Sequence, residues 1–232
     1  MKHTLLILCC LLAISLPGWG QETLLSDPTP QPVFAGTISY QIAYSGKVSH
    51  EQKHFLPDSM TVAVGAPYIR IRFFGGMAEH LLHEIHWDRR DGTFLLLDHA
   101  NRTALVPAHD PPQSPAKLVR PDAESDILGY SCSAYTIATA GERYRIWASD
   151  SIYFPLNVRD SVPEMRPLFF QADLPTIPLK MVRTRNGITT TTTATAISLT
   201  PQTATDLQLP DGYTRIAFES RMSRHPFAAD RK

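Results

Sequence analysis

The chain has 232 residues, with 22 basic and 22 acidic side chains and a formal net charge of zero. That balance supplies no global basic field to draw in nucleic acid or an anionic membrane surface. No apolar stretch reaches the roughly 20 residues that a membrane-spanning helix needs.

Lys2 and His3 precede an apolar run from Leu5 to Leu16, which Pro17 and Gly18 break, and Gly18-Trp19-Gly20 ends in a small residue. This is the grammar of a secretory signal peptide. Residues 1–20 are therefore expected to be removed, leaving a soluble protein in the periplasm or outside the cell that starts near Gln21. The competing reading of the run is a buried N-terminal helix. Cys9 and Cys10 sit inside the run after Leu8, whereas a lipid-modified cysteine follows a small residue, so a lipoprotein is not the expectation. Cys132 is then the one cysteine of the mature chain, and its alternation with Tyr130 and Ala134 marks it as a buried small hydrophobe rather than a reactive thiol. From Gln21 onward the chain is long enough to bury a core as one large β domain or two small ones. The pattern below favours one, with a flexible leader over 21–35 carrying Pro28, Pro30 and Pro32, a β-rich domain over 36–218 and a polar tail over 219–232.

Gly36 to Val48 alternates, with Ile38, Tyr40, Ile42 and Tyr44 against Thr37, Ser39 and Gln41, and reads as a strand. Ser49 to Leu56 is charged and suits one helical turn. Met60 to Val64 and Tyr68 to Phe74 are short strands around Gly65-Ala66-Pro67. His80 to Trp87, Thr93 to Asp98 and Thr103 to Val106 continue as a meander, with turns at Asp88 to Gly92 and His99 to Arg102. Five prolines between Pro107 and Pro121 mark Pro107 to Asp126 as a surface loop, with one helical turn around Ala116 to Val119.

Ile127 to Ile152 is the central hairpin, turning at Ala140-Gly141-Glu142. Alternation sets Tyr130, Cys132 and Ala134 on one face, packed inward with Tyr144 and Ile146, and sends Arg145 outward. Phe154 to Gln171 is apolar but interrupted by Pro155, Pro163 and Pro167, and reads as a loop with a helical turn. A second hairpin, Ile177 to Arg185 with Ile188 to Leu199, folds about Asn186-Gly187, the strongest short hairpin signal in the chain. The threonine run Thr189 to Thr193 suits a half-exposed strand, and a helical turn is expected between Thr200 and Leu207.

Four features recur in a fixed order: the strand ISYQIAYSG, the hairpin GYSC…GERYRIWASD, the stretch Leu174-Pro175-Thr176-Ile177-Pro178-Leu179, and the closing DLQLPDGY from Asp206 to Tyr213. Together they resemble a family of secreted domains of unknown function from Gram-negative envelopes, with a Gly-Tyr-x-Cys hairpin and a closing Pro-x-Gly-Tyr. That family is placed with the lipoprotein-carrier, LolA/LolB-like superfamily. The resemblance implies a mainly β fold: a single curved antiparallel sheet, an unclosed half-barrel, with a few short helices or loops on its concave side. It also implies lipid or lipoprotein acyl chains as a partner class. It supplies no catalytic residue.

The residues themselves offer little chemistry. His80 and His86 share a strand face with Glu84, while His83 faces away, which is not the convergence a zinc ion needs; the face reads as a wet one. No nucleophile elbow, phosphate loop or dinucleotide fingerprint is present, so no catalytic residue, metal or cofactor is expected. Aromatic and aliphatic side chains in the alternating strands are the candidate lining of an apolar ligand pocket: Tyr40, Tyr44, Phe73, Trp87, Phe94, Tyr130, Tyr144 and Ile146. The same side chains would equally fill an ordinary core. Three readings of function follow: a non-enzymatic envelope protein holding an apolar or lipidated ligand, a structural or interaction module with a filled core, and, most distantly, an unrecognised hydrolase.

Overall fold

The computed structural model describes residues 32–76, 84–90, 93–106, 117–119, 124–138, 143–154 and 176–217. Alternation in the first segment produces β1 (Gly36–Gly46), where Ile38, Tyr40 and Ile42 are buried and Gln41, Ala43 and Ser45 are exposed. Helix α1 (His50–Phe55) follows. Its capping box is complete: Gln52 N donates to Ser49 Oγ at 3.1 Å, and Ser49 N donates to Gln52 Oε1 at 2.9 Å. None of its residues is buried, so it is a surface turn. Strands β2 (Ser59–Val64), β3 (Tyr68–Phe74), β4 (Glu84–Asp88), β5 (Thr93–Asp98) and β6 (Thr103–Val106) form the expected meander, each antiparallel to the next.

The second half contributes β7 (Lys117–Val119), β8 (Glu124–Ile127), β9 (Tyr130–Ala138), β10 (Arg143–Ala148), β11 (Lys180–Arg185) and β12 (Ile188–Ser198), then helix α2 (Ala204–Leu207) and β13 (Thr214–Ala217). All 13 strands join one sheet, in the order β13, β6, β5, β4, β3, β2, β1, β12, β11, β10, β9, β7, with β8 also paired on β9. Among the described residues the end strands β13 and β7 are not paired with each other, so the sheet is unclosed. The fold is mainly β, with two short helices among the described residues, and every pairing except one is antiparallel.

Three local features depart from the sequence reading. Residues 117–119 pair with β9 as a strand rather than forming a helical turn. Residues 124–126, read as loop, join Ile127 in a two-residue hairpin with β9: Leu128 and Gly129 turn at φ 55° and 80°, and Gly129 N donates to Asp126 Oδ1 at 2.9 Å. A leucine in left-handed backbone is uncommon, so Leu-Gly gives no turn signal of the Asn-Gly kind. The third departure is β13, which pairs parallel to β6, Thr214 opposite Thr103; a four-residue parallel edge strand leaves almost no periodicity to read. His80, His83, most of Phe154 to Gln171, the segment over 1–20 and the tail over 219–232 lie outside the described residues.

The core rests on rows of side chains that cross the sheet. Ile38, Val62, Ile71 and Ile85 stand opposite one another on β1 to β4, and each is buried. Beside them run Val64, Ile69, Trp87 and Phe94. Phe34, Ile152, Phe154, Ile177 and Leu179 close the same cluster. The opposite face is covered too. Leu207 of α2 packs on Ala63 and Tyr68, while Leu209 and Tyr213 lie over Leu95, Leu97 and Ala104.

Candidate functional site

The register places seven of the eight candidate pocket residues on one sheet face. Tyr40 stands in a row with Met60 and Phe73, and Trp87 is opposite Phe94. Across β12 and β11, Tyr44 lines up through Thr190 and Arg183 with Tyr144, and Ile42 through Thr192 and Met181 with Ile146. Tyr130 alternates onto the other face of β9, yet it packs against the same large cluster, as do Tyr44 and Phe73. Tyr144 and Ile146 form a separate cluster with Tyr135 and Ala148, and Met181 touches both clusters.

One sequence expectation about the central hairpin is corrected here. Ile146 pairs with Tyr135, and Trp147 with Ala134. Tyr130, Cys132 and Ala134 therefore share a face with Trp147 and Arg145, not with Tyr144 and Ile146. The cause is the connection length: Ala138 pairs with Arg143, so even positions of β9 align with odd positions of β10, and alternation within each strand cannot show that. Ile146 is nevertheless fully buried and Arg145 exposed, as expected.

Cover on this face is uneven. Tyr40, Trp87 and Phe94 are buried, while Tyr44, Phe73, Leu96, Met181 and Ile197 are only partly covered. Two phenols on it are tied to backbone: Tyr40 Oη donates to Pro178 O at 3.0 Å and Tyr44 Oη to Pro57 O at 2.8 Å. Burial pushes the Tyr40 hydroxyl far above its ordinary range and, with the Asp58 charge, pushes Tyr44 up to about 12. Both are neutral, and their rings add apolar surface to the face. Cations meet aromatic rings on both sides of the sheet. The Arg89 guanidinium lies 4.6 Å from the Phe154 ring, and Arg145 and Lys180 lie 4.9 and 4.8 Å from the Trp147 ring.

The other face is where reading the sequence missed most. Glu84 and His86 read as part of a wet strand face; in the fold they are 1 % and 3 % exposed. Arg72 Nε donates to Glu84 Oε2 at 2.6 Å, with Arg70 Nε 4.0 Å from Oε1 and His99 Nε2 3.4 Å from Oε2. The His99 ring in turn meets the Tyr213 hydroxyl through Nδ1. Two arginines beside one buried carboxylate satisfy the rule that a buried charge is paired. The cover comes from residues 207–213 and β13, far along the chain, so no window around Glu84 contains the signal. Among the described residues, no three metal-ligating side chains converge, and no helix is long and apolar enough to cross a membrane.

No family model matches the chain, and no curated protein matches it in sequence. Among solved structures, PNGF-II in space group P21 superposes with a TM-score of 0.51 at 14% identity, over 82% of this chain and 33% of PNGF-II. PNGF-II in space group C2 gives 0.50 at 13% identity, over 81% and 32%. A LolA superfamily protein, NE2245 from Nitrosomonas europaea, gives 0.35 at 8% identity, over 78% and 92%. This chain thus spans about a third of the length of PNGF-II, and at these identities the likeness to PNGF-II is one of fold alone.

Proposed function

We propose that this is an exported, non-enzymatic envelope protein that holds an apolar or lipidated ligand, such as an acyl chain, against the aromatic face of its open sheet. The observation that carries the proposal is the uneven cover of that face. Tyr40, Trp87 and Phe94 are buried, and Tyr44, Phe73, Leu96 and Met181 remain partly uncovered beside them. Such partly uncovered side chains are open to a ligand, and apolar surface is stabilised by about 25 cal/mol for each Å² removed from water. Export rests on the Leu5 to Leu16 run and the Gly18-Trp19-Gly20 boundary.

A second reading draws on the same face. Ile38, Val62, Phe154 and Ile177 are completely buried, as in a filled core whose protein acts through its loops. Native mass spectrometry separates the two. A carrier should show adducts of lipid mass that organic extraction removes, and Phe73→Ala should lower their occupancy. Protein that is lipid-free as isolated, and takes up no fatty acid when offered it, is the module with the filled core.

A further inference from the structure

On the face opposite the apolar cluster, a cavity of about 380 Å³ lies between strands β3 to β5 and the segment running from Gln208 to Arg215. That volume is at the small end of the range for ligand sites. Its floor is set by register: Tyr68, Asp88 and Thr93 form one row, and Arg70, His86 and Leu95 the next. We propose that this cavity binds a small organic oxyanion, a carboxylate or phosphate monoester carried on an apolar body, with Arg215 and His86 as its principal recognition groups.

The charges inside the cavity decide the sign. Asp88 is occupied: Arg90 Nε donates to its Oδ1 at 3.0 Å and Arg90 Nη2 to its Oδ2 at 2.6 Å. Arg90 Nη2 also donates to Tyr68 Oη at 2.6 Å, so the Tyr68 hydroxyl accepts there and keeps its own proton to donate. Asp211 is exposed to water. Arg215 lines the same cavity, and its guanidinium has no hydrogen-bond or ion-pair partner among the described residues.

The second observation is His86. It is 3 % exposed, it lines the cavity, and its Nδ1 has no hydrogen-bond partner. A buried polar atom left unpaired is costly, and in native proteins nearly all such atoms find partners. Burial is also the main reason the imidazole sits below its ordinary pKa, against the pull of Glu84 and Asp88 on its own strand and with Arg70 and Arg215 adding to the lowering. A neutral imidazole has one N–H to donate. An oxyanion accepting from that ring and from the fork of Arg215 would use both groups at once, and forked guanidinium contacts are the strong, geometrically selective kind. Leu95, Leu209 and Tyr213 complete the lining with apolar surface, which selects an organic ligand over a bare ion.

Calorimetric titration of the intact protein with benzoate and, separately, with phenyl phosphate and inorganic phosphate tests this. At least one organic probe should bind at one per chain, more tightly than inorganic phosphate. Arg215→Met and His86→Asn should each weaken it by about tenfold or more, as expected for losing a charge-assisted contact. Arg185→Met, at a second cavity of about 320 Å³ beside the β11–β12 turn, should leave it unchanged. Arg215 is exposed, so its variant keeps the fold, and a thermal melt confirms this for His86→Asn. No binding by either organic probe, or binding indifferent to Arg215→Met, overturns the proposal. Lipid occupancy by native mass spectrometry reads the opposite face, so the two proposals stand or fall separately.

Discussion

Cys132 shows how much a single residue's surroundings decide. It is fully buried, its Sγ lies 3.3 Å from Tyr130 O, and burial, helped by the Asp126 charge, pushes the thiol up to about 11. Because the thiolate is the reactive form, the folded protein should be labelled slowly by a thiol reagent and fully once denatured. Fast labelling under native conditions would place Cys132 among reactive thiols. This environment was legible from alternation alone, since Tyr130, Cys132 and Ala134 sit at every second position. His86 was not: its strand face was clear, but its burial depends on Leu209, Tyr213 and β13 more than a hundred residues on. Burial holds its pKa below the ordinary 6.5. A base depressed in the folded state binds fewer protons than in the unfolded chain. Its contribution to stability is whole above 6.5 and is lost as pH falls below that value through the folded pKa. The stability of the wild type relative to His86→Gln, from urea melts, should therefore hold level at higher pH and decline as the pH falls below about 6.5. A difference that stays constant or grows as the solution is acidified would contradict the burial.

At the scale of elements, the period-two signal located strands well but fixed their pairing only where a turn declared itself. Asn186-Gly187 did so, with φ of 51° and 78° joining β11 to β12, as a two-residue type I′ loop requires. The β9–β10 connection did not, and the shared faces came out offset although each strand's inward side was right. Ile146→Ala should still cost about 2–5 kcal/mol, because Ile146 is fully buried beside Tyr135, Tyr144 and Met181. Arg145→Ala loses a contact with the Trp147 ring at 4.9 Å, worth about 0.5–1 kcal/mol at an exposed site. Denaturant melts of the two variants should keep that order, and its reversal would mean the faces of β10 are swapped. Close approach of backbones is a further element-scale constraint. At Gly36, φ is 151° and an added Cβ would fall 2.1 Å from Ser198 O. Gly36→Ala must push β1 from β12, and should lower the denaturant midpoint by the equivalent of about 1–3 kcal/mol, the usual cost of overpacking. An unchanged midpoint would show that this end of the pair is slack.

For the whole molecule, the class was legible and the second layer was not. Strand spacing and turn signals announced an antiparallel sheet with few helices, and the sheet is that. What local patterns could not announce is that residues 204–217 fold back over the face carrying Glu84 and His86, since that placement is set by long-range contacts. Among the described residues the cover is held by Leu207 against Ala63 and Tyr68, Leu209 and Tyr213 against Leu95, Leu97 and Ala104, the Tyr213 hydroxyl on His99, Arg70 Nη1 donating to Asp206 O at 2.6 Å, Thr214 N donating to Arg102 O at 3.0 Å, and the short parallel ladder of β13 with β6. The middle of the sheet is tied on both sides, β1 being paired with β2 and β12 along most of its length. Segments with few buried contacts open at lower free energy than the global transition, so amide exchange should be graded. Amides of Thr214 to Ala217 should exchange well before those of Ile38, Tyr40 and Val62, and Leu207→Ala should speed β13 further while sparing β1. Such local opening would also uncover the cavity at His86 and Arg215, giving a small ligand a way in without unfolding the sheet. If β13 proved as protected as β1, the cover would be part of one cooperative unit, and entry to the cavity would have to run through its fixed mouth.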